Sequence, residues 1–179
     1  MGEQHEEIRE RLRVHASVGG RAQANVETGL PVLDHLLTLT AEHAGFDLAL
    51  EVAPGDPTAE VAAAAQALGE ALYEPLRKEG ARGHGSGVVP ADEALAHVSL
   101  EASGRPLLVS NVDLSDARVG GVDTDLVADF LRQLAEGGGL TLHVRLIHGD
   151  DPQHVLETIF KSLGVALAQA CRPRRGEDR

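Results

Sequence analysis

The chain of 179 residues has no Trp, one Tyr and three Phe, so any core it builds must be packed almost wholly from aliphatic side chains. Its single cysteine, Cys171, excludes an intrachain disulfide and a cysteine-based metal cluster, and agrees with a reducing compartment. No apolar run approaches the roughly 18 residues that a membrane-spanning helix needs. The opening stretch MGEQHEEIRERL is charged throughout, without the apolar segment of a secretion signal, and Glu6 stands where a myristoylation signal wants Ser or Thr. A cytoplasmic protein with no membrane partner is the expectation. Basic residues are scarce: 16 Lys and Arg against 28 Asp and Glu leave a net charge of −12. That is too few cations to neutralise a phosphate backbone, so no nucleic-acid partner is expected. The basic stretch CRPRRGEDR reads as a frayed end, with a flexible tail over residues 173–179.

What is present is a repeat. FDLALEV from Phe46 lies on LTLHVRL from Leu140 at an offset of 94 residues, both alternating like half-buried strands. LDHLLTLTAEHAG from Leu33 lies on VADFLRQLAEGGG from Val127 at the same offset, both amphipathic helices ending in glycine. DPTAEVAAAAQALGEAL from Asp56 lies on DPQHVLETIFKSLGVAL from Asp151, each opening with Asp at the N-cap and Pro at the first helical position. The repeats share Leu68-Gly69 and Leu163-Gly164. Each half therefore reads strand, strand, helix, strand, helix. The fold class is α+β, two tandem homologous halves, each a mixed sheet with helices packed on one face. The halves span residues 1–82 and 83–172 within one compact domain. The join carries GARGHGSG, Gly80 to Gly87, which lacks the Lys-Ser/Thr ending of a phosphate loop and reads as a flexible linker.

His154 and Glu157, three residues apart at a helix start, put an imidazole and a carboxylate on one face, half of a common metal-ligand arrangement. Their repeat partners, Ala59 and Ala62, carry no such groups.

These residues resemble the imidazoleglycerol-phosphate dehydratase family of histidine biosynthesis. The resemblance runs from about Thr28 to Gly176 and rests on TGLPVLDHLL, HAGFDLALEV, VPADEAL, SGRP, VGGVDTDLV, LTLHVRL and HVLETIFKSL. It implies a duplicated fold of the ribosomal protein S5 domain 2-like kind. It implies two manganese ions held by paired His-His-x-x-Glu motifs, one per half, which polarise an imidazole ring so that water leaves the adjoining glycerol phosphate. It also implies active sites between subunits of a large shell built from trimers.

The departures fall on the chemistry. The first-half motif falls on Thr58, Ala59 and Ala62, and the second on Gln153, His154 and Glu157. The helix-borne histidine of the second half falls on Asp129, and the N-terminal glutamate near Arg9 or Glu10. The arginine that helps hold phosphate falls on Gly83, beside Arg82, and the C-terminal Ser-Thr-Lys-Gly loop has no match. The survivors are His35, His154 and Glu157 as vestigial metal ligands, and Arg105 and Lys161 as phosphate-binding residues.

A manganese-class ion wants several N and O donors in near-octahedral geometry, which this set does not supply, so no cofactor is expected. The reading is a catalytically inactive member of the family with a binding, regulatory or partner role, possible partners including an active paralogue. The alternative is an active dehydratase or related lyase on a phosphorylated small molecule, with a rebuilt site. The residues have bland readings too. Glu157 and Lys161 are spaced for a surface ion pair, His154 for a solvated helix end, His35 for a structural role, and Asp92 and Glu93 for a turn. A trimer is expected, joined by apolar packing of VLDHLLTL and LVADFLRQL, whereas a shell would depend on metal sites.

Overall fold

The computed structural model describes residues 12–17, 20–53 and 55–174, so the glutamate position near Arg9 or Glu10 and residues 175–179 lie outside the described residues. The elements are β1 (Leu12–Ser17), β2 (Ala24–Glu27), α1 (Pro31–Ala44), β3 (Asp47–Val52), α2 (Pro57–Arg77), β4 (His84–Val88), β5 (Leu95–Glu101), β6 (Leu107–Ser110), β7 (Arg118–Val119), β8 (Val122–Asp123), α3 (Thr124–Gly138), β9 (Thr141–His148) and α4 (Pro152–Cys171).

The helix ends follow from local chemistry. Asp56 accepts from the Ala59 N–H, and Asp151 from the Gln153 and His154 N–H groups, satisfying donors that the first turn leaves free. Gly45 and Gly139 end α1 and α3 in the left-handed conformation, at φ of 68° and 58°.

One sheet has the order β1-β3-β2, with β1 antiparallel and β2 parallel to the central β3. The other has the order β4-β5-β9-β6, with β5 antiparallel and β6 parallel to the central β9. The second sheet therefore repeats the first around its central strand and adds β4. Helices α1 and α2 pack on the first sheet, and α3 and α4 on the second. The two layers meet helix to helix, α1 on α4 and α2 on α3. The shared Leu-Gly pairs lie at these contacts. A methyl group on Gly69 would come within 2.5 Å of the Gly138 nitrogen, and one on Gly164 within 2.4 Å of the Thr40 oxygen. Glycine lets the backbones approach this closely.

The core is aliphatic around Phe130 and Phe160, whose ring centroids are 5.9 Å apart. Leu36, Leu37, Leu134 and Leu163 are buried beside them, each burial worth about 1.5–3 kcal/mol.

Two expectations are corrected here. The GARGHGSG stretch is not a flexible linker: residues 84–88 form β4, paired with β5, and Gly85 and Gly87 lie against the backbone of α4. Alternating glycines looked like freedom, but they are the clearance that a strand needs beside a helix. Second, the apolar faces of VLDHLLTL and LVADFLRQL are not free to join subunits. Leu33, Leu36, Leu37, Val127, Phe130, Leu131 and Leu134 are all buried within the protomer, because each helix lies between a sheet and a helix of the other half.

Of the tail, Pro173 bridges Ala81, and Arg174 donates to the carbonyls of Gly80 and Ala81, so the end of the described chain is tied to the turn before β4. Among the described residues no helix is long and apolar enough to cross a membrane.

Candidate functional site

Helix α4 begins one turn of chain beyond the end of β9, and α1 packs along it. This brings His35 of α1 to Glu157 of α4 across 122 residues of sequence: His35 Nε2 lies 3.2 Å from Glu157 Oε1. Gln153, one turn earlier, donates its amide to the same oxygen at 3.2 Å. The three side chains border a cavity of about 200 Å³. Its remaining wall is largely apolar, from Val32, Leu36, Leu156 and Val119, the last of these on the β7–β8 hairpin with Gly120 at its tip.

His154 is held elsewhere. Ala91–Ala94 forms a tight turn before β5, with Asp92 at φ 49°. The turn presents two carboxylates to the start of α4. His154 Nδ1 donates to Glu93 Oε2 at 2.6 Å, and its Nε2 lies 3.3 Å from Asp92 Oδ2. Glu93 also accepts from the Asp151 N–H at 3.1 Å. That N–H first, then the His154 ring, hold the Glu93 carboxyl down at about 2. The hydrogen bond to Glu93 leads in raising the His154 pKa above the ordinary histidine value; desolvation opposes it, and the charges of Glu93, Asp151 and Asp92 add to the rise. His154 is therefore clamped between acids that shift it toward the imidazolium relative to a free histidine, rather than left as the solvated ring expected of a helix end. Asp92 and Glu93, read from sequence as turn residues, thus also engage a functional candidate. Nothing in the spacing of PADEAL signals an approach across 61 residues.

The other candidates are placed as follows. The expected Glu157–Lys161 ion pair is replaced by Glu157 with His35, because α1 reaches the carboxylate first; Lys161 has no ion pair among the described residues. Arg105 is not brought to His35, His154 and Glu157 within one protomer. It lies in the turn before β6, its carbonyl accepting from Thr141 at the start of β9, while α4 follows the far end of that strand. Eight strand residues separate the two ends by about 23 Å. On α2, Thr58, Ala59 and Ala62 lie in the first two turns and offer at most one hydroxyl. Asp129 pairs with Arg132 at 2.6 Å. Cys171 has its thiol pushed up to about 11 by burial, which suits packing and not nucleophilic chemistry.

A sequence profile described as imidazoleglycerol-phosphate dehydratase matches residues 28–167. The chain belongs to the imidazoleglycerol-phosphate dehydratase family. It is 43% identical over 166 residues to the imidazoleglycerol-phosphate dehydratase of Desulforudis audaxviator, covering 90% of this chain and 84% of that one. It is 40% identical over 167 residues to that of Pelobacter propionicus, covering 90% and 85%. Among solved structures, it is similar to the imidazoleglycerol-phosphate dehydratase of Staphylococcus aureus, at a TM-score of 0.85 and 34% identity over 93% of this chain and 96% of that one. The Pyrococcus furiosus structure matches at a TM-score of 0.81 and 29% identity, covering 95% and 94%.

The manganese ions that the family resemblance implies can be tested against these donors. The start of α2 has no imidazole or carboxylate at the motif positions, Thr58, Ala59 and Ala62. At α4, His154 would have to give up its contact with Asp92, and the remaining donors are one imidazole, one carboxylate and one amide. Among the described residues, no three His, Cys, Asp or Glu side chains are arranged to hold an ion. The described side chains of one protomer do not fit a two-metal centre.

Proposed function

We propose that this chain is a non-dehydrating member of the family, which keeps a small-molecule pocket between α1 and α4 and serves as a binding, regulatory or partner subunit in the cytoplasm. One observation carries the reading: Thr58, Ala59 and Ala62 stand at the start of α2 where the family motif supplies its imidazoles and carboxylate. Without those donors the charge that would polarise the substrate ring is missing, and no other described side chain in the pocket replaces it. The apolar wall with His35, Gln153 and Glu157 suits a small ring bearing hydrogen-bonding nitrogens.

The comparisons favour a second reading, a dehydratase with a rebuilt site. Relatives about 40% identical over 90% of the chain are named for that activity. The surviving His35–Glu157–Gln153 group is where a rebuilt centre would begin.

One assay separates them. Purified protein, given imidazoleglycerol phosphate and manganese, should release no dehydrated product above background. Turnover lost in Glu157→Gln would overturn the first reading and support the second. Product formed equally by wild type and variant would point to a contaminant.

A further inference from the structure

The β7–β8 hairpin forms one wall of the cavity between α1 and α4, and it is slightly built. It pairs with neither of the larger sheets, and its own ladder is Arg118 with Asp123 and Val119 with Val122. A lone two-stranded hairpin is marginally stable in water. Its turn, Gly120-Gly121, has φ values of 56° and 81°, as a two-residue hairpin turn requires. The base is fixed. Thr124 is buried, and its N–H and hydroxyl both donate to the Ala117 carbonyl, at 3.2 and 3.0 Å. Beyond that base the hairpin rests on what its two valines cover. Val119 borders the cavity beside His35 and Glu157, Val122 borders a smaller one beside Val61 and Leu126, and Val32 of α1 borders both.

A carboxylate at the base has two uses. Asp123 is the N-cap of α3, at φ −67° and ψ 131°, close to the backbone conformation from which Asp56 and Asp151 cap α2 and α4. Those two side chains accept from N–H groups of the first turn, whereas Asp123 makes no such bond. Its Oδ1 lies instead 3.1 Å from Arg118 Nε, across the hairpin. Arg118 also donates to the Gly121 carbonyl at 2.9 Å, bracing the turn. The Arg118 and Asp123 side chains are 66% and 63% exposed, so their ion pair stabilises the hairpin only modestly and is screened by salt. An N-cap bond is of comparable or greater strength.

We infer that the hairpin is a gate to the cavity and that Asp123 sets its state. Turned to Arg118, the carboxylate closes the hairpin and leaves α3 uncapped. Turned to the Asp125 and Leu126 N–H groups, it caps α3 and lets the hairpin open by local unfolding. The closed form dominates, because opening exposes Val119 and Val122 to water. That the gate admits a ligand rests on the pocket reading proposed above. A ring bound against Val119 prefers the closed form, so ligand and closure favour each other.

Hydrogen exchange of the full chain, read by mass spectrometry on fragments covering residues 118–123 and 124–130, tests the gate. In the wild type the hairpin should exchange well ahead of α4. Asp123→Asn keeps a capping side chain and loses the ion pair. It should speed hairpin exchange by about twofold to fivefold and slow the first turn of α3 by at least about twofold. Asp123→Ala can neither pair nor cap, so it should speed both. Salt at about 1 M should have the Asp123→Asn effect on the wild type and none on that variant. A wild-type hairpin that exchanges only together with α4, or an Asp123→Asn protein in which either fragment fails to change in the stated direction, would overturn the gate. Imidazole is the probe ring, with binding measured by calorimetry. At saturation it should slow wild-type hairpin exchange by at least about fivefold. Binding without that slowing would overturn the gate. No binding, with the variant signature intact, would sink the pocket reading and leave the Asp123 switch standing.

Discussion

Adding one methyl group at Gly85 tests the packing that distinguishes a strand from a linker, because the two arrangements give opposite signs. The added Cβ would come within 2.0 Å of the Ala166 carbonyl oxygen, 2.9 Å of its carbon and 3.0 Å of the Ala170 nitrogen. All three atoms are helix backbone, so no side chain can swing aside. A comfortable contact is about 3.5 Å, so β4 must lift from α4 by more than about 1 Å. Overpacking of this kind costs about 1–3 kcal/mol, and a rigid neighbour places it at the upper end. Alanine restricts the unfolded chain more than glycine does, which offsets about 0.4–1 kcal/mol. The net is about 2 kcal/mol of destabilisation. For a chain of 179 residues that lowers Tm by about 4–8 °C. Thermal melting followed by circular dichroism measures it, with exposed Glu79→Ala as the neighbouring control, expected within about 0.5 kcal/mol of wild type. A Gly85→Ala protein that melts at or above the wild-type temperature would mean that the entropic gain acts alone, as in a free linker, and the packing of β4 on α4 would be refuted.

Two further outcomes follow from named contacts. Thr158 is fully buried; its hydroxyl donates to the Val89 carbonyl and accepts from the Ala96 N–H, tying α4 to both ends of the β4–β5 connection. Thr158→Val keeps the shape but leaves two buried backbone groups unpaired, and urea denaturation should report a loss of about 1–3 kcal/mol. At the acid clamp, the raised His154 pKa favours the fold at pH below the ordinary histidine value and stops doing so as pH rises through the folded value. The Glu93 carboxyl, held at about 2 instead of 4.5, favours the fold above 4.5 and stops doing so as pH falls toward 2. Both contributions are therefore present from about pH 4.5 to 6.5. In an NMR titration the His154 ring should titrate above the ordinary histidine midpoint and fall back in Glu93→Gln; an unchanged midpoint in that variant would refute the clamp.

The sequence by itself determined the local elements and their repetition. Strand alternation, Asp-Pro helix starts and glycine stops depend on backbone geometry and nearest neighbours, and those signals are present in each half. It also carried enough residue identities for the family to be recognised, and the losses at Thr58, Ala59 and Ala62 are visible without coordinates. Only the tertiary structure decided which groups meet. His35 reaches Glu157 because α1 crosses α4, and Glu93 reaches His154 because a tight turn lies over a helix start. Neither pairing has a local signature, since each joins positions at least 61 residues apart. The glycines of β4 show the same limit from the other side. A glycine kept for close approach and a glycine kept for flexibility are the same letter. The Ala166 carbonyl that tells them apart enters only when the helix is packed against the strand.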